Sequence, residues 1–202
     1  IVIVYSASLI KPSEFAAIRK VRSMEFRWAL VAFLGVLVFG TLQGIVIAII
    51  LSLLGLSGQA ANPRVYVVGR KRGEDVLREI SPDHPDDETI AGLLILRPEG
   101  RLFFANAQQV SDRIRALTAE HSPRVLLLDL SRVFDIEYSA LQMLEEEERR
   151  FAGMGITVWL AGLNPGVADF VQSSGLAAQV GKDRLFANVR AAIRRFEAAA
   201  AG

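Results

Sequence analysis

The sequence predicts an α/β fold, a mostly parallel sheet with flanking helices, preceded by an all-α membrane hairpin. Three observations carry this. No charged residue occurs between Trp28 and Pro63. Beyond Pro63 the chain alternates short apolar runs with segments of helical period, the pattern of a parallel sheet with crossover helices. Finally, 51% hydrophobic residues and a mean hydropathy of +0.33 average two regimes, one membrane-like and one ordinary.

The apolar stretch exceeds the roughly 20 residues of a single span. Near its middle lies Gly40-Thr41-Leu42-Gln43-Gly44, and basic residues flank both ends: Arg19, Lys20, Arg22 and Arg27 before, Arg64, Arg70, Lys71 and Arg72 after. Positive charge marks the cytoplasmic side, so a hairpin, with both ends inside, fits better than one tilted span. Two short helices are expected, near Trp28–Phe39 and Gln43–Leu56, turning at Gly40–Gly44. Arms this short need other protein around them, because exposed turn backbone is not tolerated in hydrocarbon. A buried core hairpin is the alternative, and the length of the charge-free run argues against it. The chain opens at Ile1 inside an apolar run. Residues 1–27 are therefore expected to be the end of an earlier span (Ile1–Ile10) and a basic cytoplasmic connector (Pro12–Arg27). Residues 28–60 are expected to form a transmembrane hairpin and 61–202 a cytoplasmic domain.

In that domain Arg64–Gly69 and Gly92–Arg97 read as strands. The acidic, proline-broken segment Ser81–Glu88 between them reads as an exposed, mobile loop. Pro98-Glu99-Gly100 reads as a turn returning through Leu102-Phe103-Phe104. A helix from about Ala107 places Ala107, Val110, Ile114 and Leu117 on one face. Arg124–Leu130 has the continuous apolar pattern of a strand covered on both faces. The helix from about Ser139 buries Leu141, Leu144 and Phe151. Its acidic run Glu145–Glu148 is read as a solvated face with Glu145–Arg149 and Glu146–Arg150 pairs. Ile156–Ala161 is the next strand. Asn164-Pro165 opens a helix that Gly175 is expected to stop. The last helix carries Phe186, Val189, Ile193 and Phe196 on one stripe.

Composition excludes several functions. There is no cysteine, hence no disulfide, zinc-thiolate or thiol chemistry. His84 and His121 lie in polar sequence without a second ligand nearby, so no metal is expected. A net charge of +1, with no basic patch interleaved with aromatics, gives no case for nucleic acid. No Ser/His/Asp set, catalytic carboxylate pair or phosphate-binding glycine loop occurs, and Asp135 with Glu137 is too common a pattern to count. No enzyme and no cofactor is expected.

The run Asp129–Leu141, D-L-S-R-V-F-D-I-E-Y-S-A-L, resembles the signature of STAS domains, shared by anti-sigma-factor antagonists and sulfate permease (SulP) transporters. Phe104-Ala105-Asn106-Ala107, Ala161-Gly162-Leu163-Asn164-Pro165, Ser174-Gly175-Leu176 and the membrane pieces Leu34–Gly40 and Gln43-Gly44-Ile45 are similar to the transporter branch. The resemblance covers nearly the whole chain. It implies a secondary active anion transporter whose substrate site lies upstream of this sequence, in a multi-pass plasma (inner) membrane protein with a cytoplasmic C-terminal domain. The partners it implies are membrane lipid, the upstream transport domain, a second copy in a homodimer, and a regulatory protein at the STAS domain. The second reading is a membrane-tethered signalling module switched by serine phosphorylation.

By the motif, Ser139 stands where the antagonists carry their phosphorylated serine. A hydroxyl at a helix N-terminus is also the ordinary N-cap, and the two roles can coexist. Glu137 replaces the usual Asp, Ala140 the usual Gly, and Tyr138 a frequent Ser, which weakens transfer of kinase recognition. Asp129 and Ser131 end a buried strand and are expected to fasten the following loop by side-chain to backbone hydrogen bonds rather than to bind ligand.

Overall fold

A computed structural model describes residues 19–20, 23–60 and 62–200, and the expected span end at Ile1–Ile10 lies outside them. The chain divides into two units, Ile1–Gln59 and Ala60–Gly202.

In the first unit α1 (Ser23–Phe39) and α2 (Thr41–Ala60) meet at Gly40. The helices are longer than expected: α1 takes in the end of the supposed connector, and the break is one residue rather than five. Gly40 has φ +86°, which glycine adopts without a Cβ penalty. Its N–H still bonds Val36 O at 3.0 Å, and its own carbonyl accepts from Gly44 N at 2.9 Å, so Thr41–Gly44 continues as helix. The arms touch through glycine. A Cβ on Gly44 would lie 2.5 Å from Val36 Cα, and one on Gly55 would lie 3.3 Å from the Trp28 ring. Large apolar side chains point away from this seam, with Val38 72% and Leu42 73% exposed. Among the described residues no helix is long and apolar enough to cross a membrane.

The second unit is a seven-stranded sheet ordered β2-β1-β4-β6-β8-β9, with β3 also pairing β1. Strands β4 (Leu93–Pro98), β6 (Val125–Asp129), β8 (Thr157–Ala161) and β9 (Leu185–Phe186) are parallel. Strand β1 (Val65–Lys71) runs antiparallel to β4, and β2 (Leu77–Glu79) and β3 (Asp87–Glu88) run antiparallel to β1. The acidic loop is thus partly corrected. Its end is a strand, and the side chain of half-buried Asp87 is covered by Arg78, whose Nε lies 2.7 Å from it. The segment after β4 does not return as a hairpin either. β5 (Gly100–Leu102) leaves the sheet and pairs in parallel with β7 (Val133–Ile136), a strand not expected from the sequence.

Helices α3 (Ala107–His121), α4 (Tyr138–Gly153), α5 (Pro165–Ser173) and α6 (Gly175–Val180) contribute to one core, with Leu96, Leu126, Leu128, Ile114 and Leu144. Among the described residues the other face is covered by α7 (Val189–Ala200), which packs Ile193 and Phe196 over Leu93, Ile95 and Leu127. Phe186, expected on that last helix, lies in β9, its ring 4.9 Å from that of Trp159.

Gly175 does not stop a helix. Ser174 ends α5, and its hydroxyl accepts from Leu176 N at 3.2 Å to open α6. The acidic run of α4 is not wholly solvated: Glu147 and Glu148 are buried, and Ser111 Oγ donates to Glu147 Oε1 at 2.7 Å. Glu147 faces Arg115 on α3 and Arg150, and the expected Glu145–Arg149 and Glu146–Arg150 side-chain pairs do not form. A helical period locates a face; it does not show that a neighbouring helix covers part of the polar one.

Candidate functional site

The motif Asp129–Leu141 folds at the carboxyl end of the parallel strands. Strand β6 is apolar on both faces until Asp129, which is 0% exposed. Both its oxygens are engaged: Oδ1 accepts from Ser131 N at 3.0 Å and Oδ2 from Arg97 Nε at 2.6 Å. The first bond is the loop fastening expected from the sequence. The second makes Asp129 half of a buried ion pair, with the Arg97 side chain 12% exposed. Such a pair is costly to break, because one lost partner leaves a buried charge. Gly162, at φ +71°, sits against this turn: a Cβ there would meet Ser131 Cβ at 3.0 Å and Asp129 Oδ1 at 3.1 Å.

From this pair a polar chain runs outward. Tyr66 Oη donates to Glu99 Oε1 at 2.6 Å, and Arg132 Nη1 donates to the same oxygen at 2.8 Å. The Tyr66 hydrogen bond, with the charges of Arg132 and Arg64, holds the Glu99 carboxyl below its usual range. Burial, and then the hydrogen bond to Glu99, push the Tyr66 phenol up.

The β5–β7 pair sets the entry to α4. Arg101 bridges Asp135 through Nε (2.7 Å) and Glu137 through Nη2 (2.8 Å). Buried Asn106 fixes the chain beside it, accepting from Phe103 N at 3.0 Å and donating to Arg101 O at 2.8 Å. Glu137 N donates to Leu102 O at 2.8 Å. On the other side Asn164 caps α5, accepting from Val167 N at 3.0 Å, and donates to Val133 O.

Ser139 departs from its expected role. The N-cap of α4 is Glu137, and it caps through no side-chain bond. Ser139 is inside the first turn, its Oγ buried and without a hydrogen-bond partner. Exposed aromatic rings stand nearby in sequence instead: Phe104, Phe134 and Tyr138. Of the residues singled out from sequence, Asp129 and Ser131 meet directly, Glu137 belongs to the Arg101 fork, and Ser139 follows it on α4. Arg97, Arg101 and the ligating role of Asn106 were missed. An arginine closing the apolar strand Leu93–Pro98 was the one available signal. Among the described residues no three His, Asp or Glu side chains group as metal ligands.

The STAS domain family model matches residues 84–192. High affinity sulfate transporter 2 of Stylosanthes hamata is 28% identical, over 97% of this chain and 31% of its own length. A probable sulfate transporter of Mycobacterium tuberculosis is 26% identical, over 96% and 35%. The chain therefore spans about a third of the length of these relatives. The solved structure of the murine Solute Carrier 26 family member A9 anion transporter, inward-facing, shares the fold with a TM-score of 0.80 at 18% identity, covering 95% of this chain and 31% of that one. On the match of more than half its length, the chain belongs to the STAS-domain family, and the relatives it matches include sulfate transporters.

Proposed function

We propose that this chain is the C-terminal portion of a secondary active anion transporter of sulfate type, with α1 and α2 inside the membrane and the STAS domain regulating or assembling the transporter from the cytoplasm. The observation that carries this reading is the extent of the likeness. The sulfate-transporter relatives match across 96–97% of the chain, apolar hairpin included, and not the STAS domain alone. The outward-facing apolar side chains of the hairpin support it, since they need lipid or further membrane protein around them. Substrate and coupling ion belong to the upstream transport domain in this reading. Lipid, a second copy and a regulatory protein are its expected partners.

The signalling alternative needs Ser139 as phosphoacceptor. Its buried Oγ requires the first turn of α4 to open before a kinase could reach it, so transport is the favoured reading. The test is anion uptake into proteoliposomes by the full-length parent, with and without residues 65–202. Sulfate uptake altered by the deletion is the expected result. A folded parent that moves no anion tested would overturn the proposal and turn attention to Ser139.

A further inference from the structure

Strands β8 and β9 are neighbours in the sheet, yet the helices that follow them go to opposite faces: α5 to the face of α3 and α4, and α7 to the other. In parallel sheets the loops at such a switch diverge and leave a crevice outside the strand ends, where ligands bind. The crevice is present here, about 290 Å³, between the β8–α5 turn at Gly162 and the start of α7 at Asn188, Val189 and Arg190. Arg97, Asp129 and Ser131 line its floor, and Val76 and Leu77 one wall.

Its chemistry is one-sided. The carboxylate and amide acceptors are spent: both Asp129 oxygens are occupied, and Asn188 Oδ1 accepts from Ala191 N at 3.0 Å. The donors are not. Among the described residues Ser131 Oγ, Asn188 Nδ2 and Arg190 Nη1 have no hydrogen-bond partner, while Arg190 is steadied by Asp75 through Nε (2.8 Å) and Nη2 (2.9 Å). Arg97 is held in place by Asp129 and Tyr66. The first turn of the 12-residue α7 adds the positive end of its dipole. Free donors and two guanidinium groups, each held in position by one carboxylate, around a small volume suit a compact group rich in acceptors.

We propose that this crevice binds a small tetrahedral oxyanion, either inorganic sulfate or phosphate or the phosphoryl group of a small monoester. The site is separate from the Ser139 turn and does not depend on the transport reading, since binding by this chain is measured without any flux. Occupancy would couple the β6, β8 and α7 ends, which makes it a means for the domain to sense an anion.

The test is calorimetric titration of the 202-residue chain in detergent with sulfate, inorganic phosphate, glycerol phosphate and chloride at fixed ionic strength. Saturable binding of at least one of the first three is expected, with a Kd at or below about 1 mM; whichever binds tightest identifies the source. Arg190→Gln changes an exposed side chain and should weaken that binding at least ten-fold. Arg97→Lys keeps a charge against Asp129 and should weaken it too, whereas Arg195→Gln, outside the crevice, should not. Chloride binding as well as the oxyanions, no saturable binding, or equal affinity in wild type and Arg190→Gln would each overturn the proposal.

Discussion

The two units of this chain solve the same packing problem in opposite ways. In the STAS domain, leucines such as Leu126 are 0% exposed, and the fully buried carboxylate Asp129 is paired with Arg97. In the hairpin, glycine takes the inside: Gly44 meets Val36, and Gly55 meets Trp28, while other large apolar side chains such as Val38 and Leu42 face outward. Burial against water drives the first arrangement. In the lipid setting proposed for the hairpin that drive is absent, and small residues that let backbones approach take over. Hydrophobicity alone therefore says little about which side of a residue is packed.

The contrast can be broken most forcefully at the buried pair. Asp129→Ala leaves Arg97 without its partner and should destabilise the domain by about 3–5 kcal/mol, read as a lower urea midpoint. A paired substitution sharpens the comparison. Leu126→Ala should cost about 2–5 kcal/mol, whereas Leu42→Ala on the hairpin should change stability in detergent by less than about 0.5 kcal/mol. Equal losses would mean that the hairpin buries Leu42 as the domain buries Leu126.

Gly44→Val should cost about 1–3 kcal/mol by overpacking the seam, seen as loss of helix-pair protection in hydrogen exchange; an unchanged exchange pattern would dismiss the glycine contact. Removing the α5 cap with Asn164→Ala should cost about 1 kcal/mol, measured by thermal unfolding.

The smallest effect is a pH dependence. The Glu99 carboxyl is held below its ordinary 4.5, first by the Tyr66 hydrogen bond. A depressed carboxylate adds stability above its unfolded pKa and loses it as pH falls through the folded one. The stability advantage of wild type over Glu99→Gln should thus be present near pH 6 and fade below about 4.5; a difference independent of pH would rule out this linkage.

Much of the α/β order was legible in the residues. The apolar run within Arg124–Leu130 had the pattern of a covered strand, and Asn164-Pro165 marked a helix start by cap chemistry that acts locally. The short parallel pair β5–β7 was not legible, because Gly100–Leu102 and Val133–Ile136 gain strand geometry only by meeting each other across the fold. Ser139 shows the same limit at the site. A serine near a helix start reads as a cap, but the pairing of Glu137 N with Leu102 O places the helix boundary two residues earlier.

By itself the sequence determined the two regimes, the strand and helix periods, and the fastening of the loop by Asp129, all of which depend on residues close in the chain. Only the tertiary structure decided that Arg97 completes Asp129, that Glu147 and Glu148 are covered, and that α7 crosses to the far face and opens the crevice. These depend on which distant segments meet, and a periodic pattern specifies a face without naming its partner.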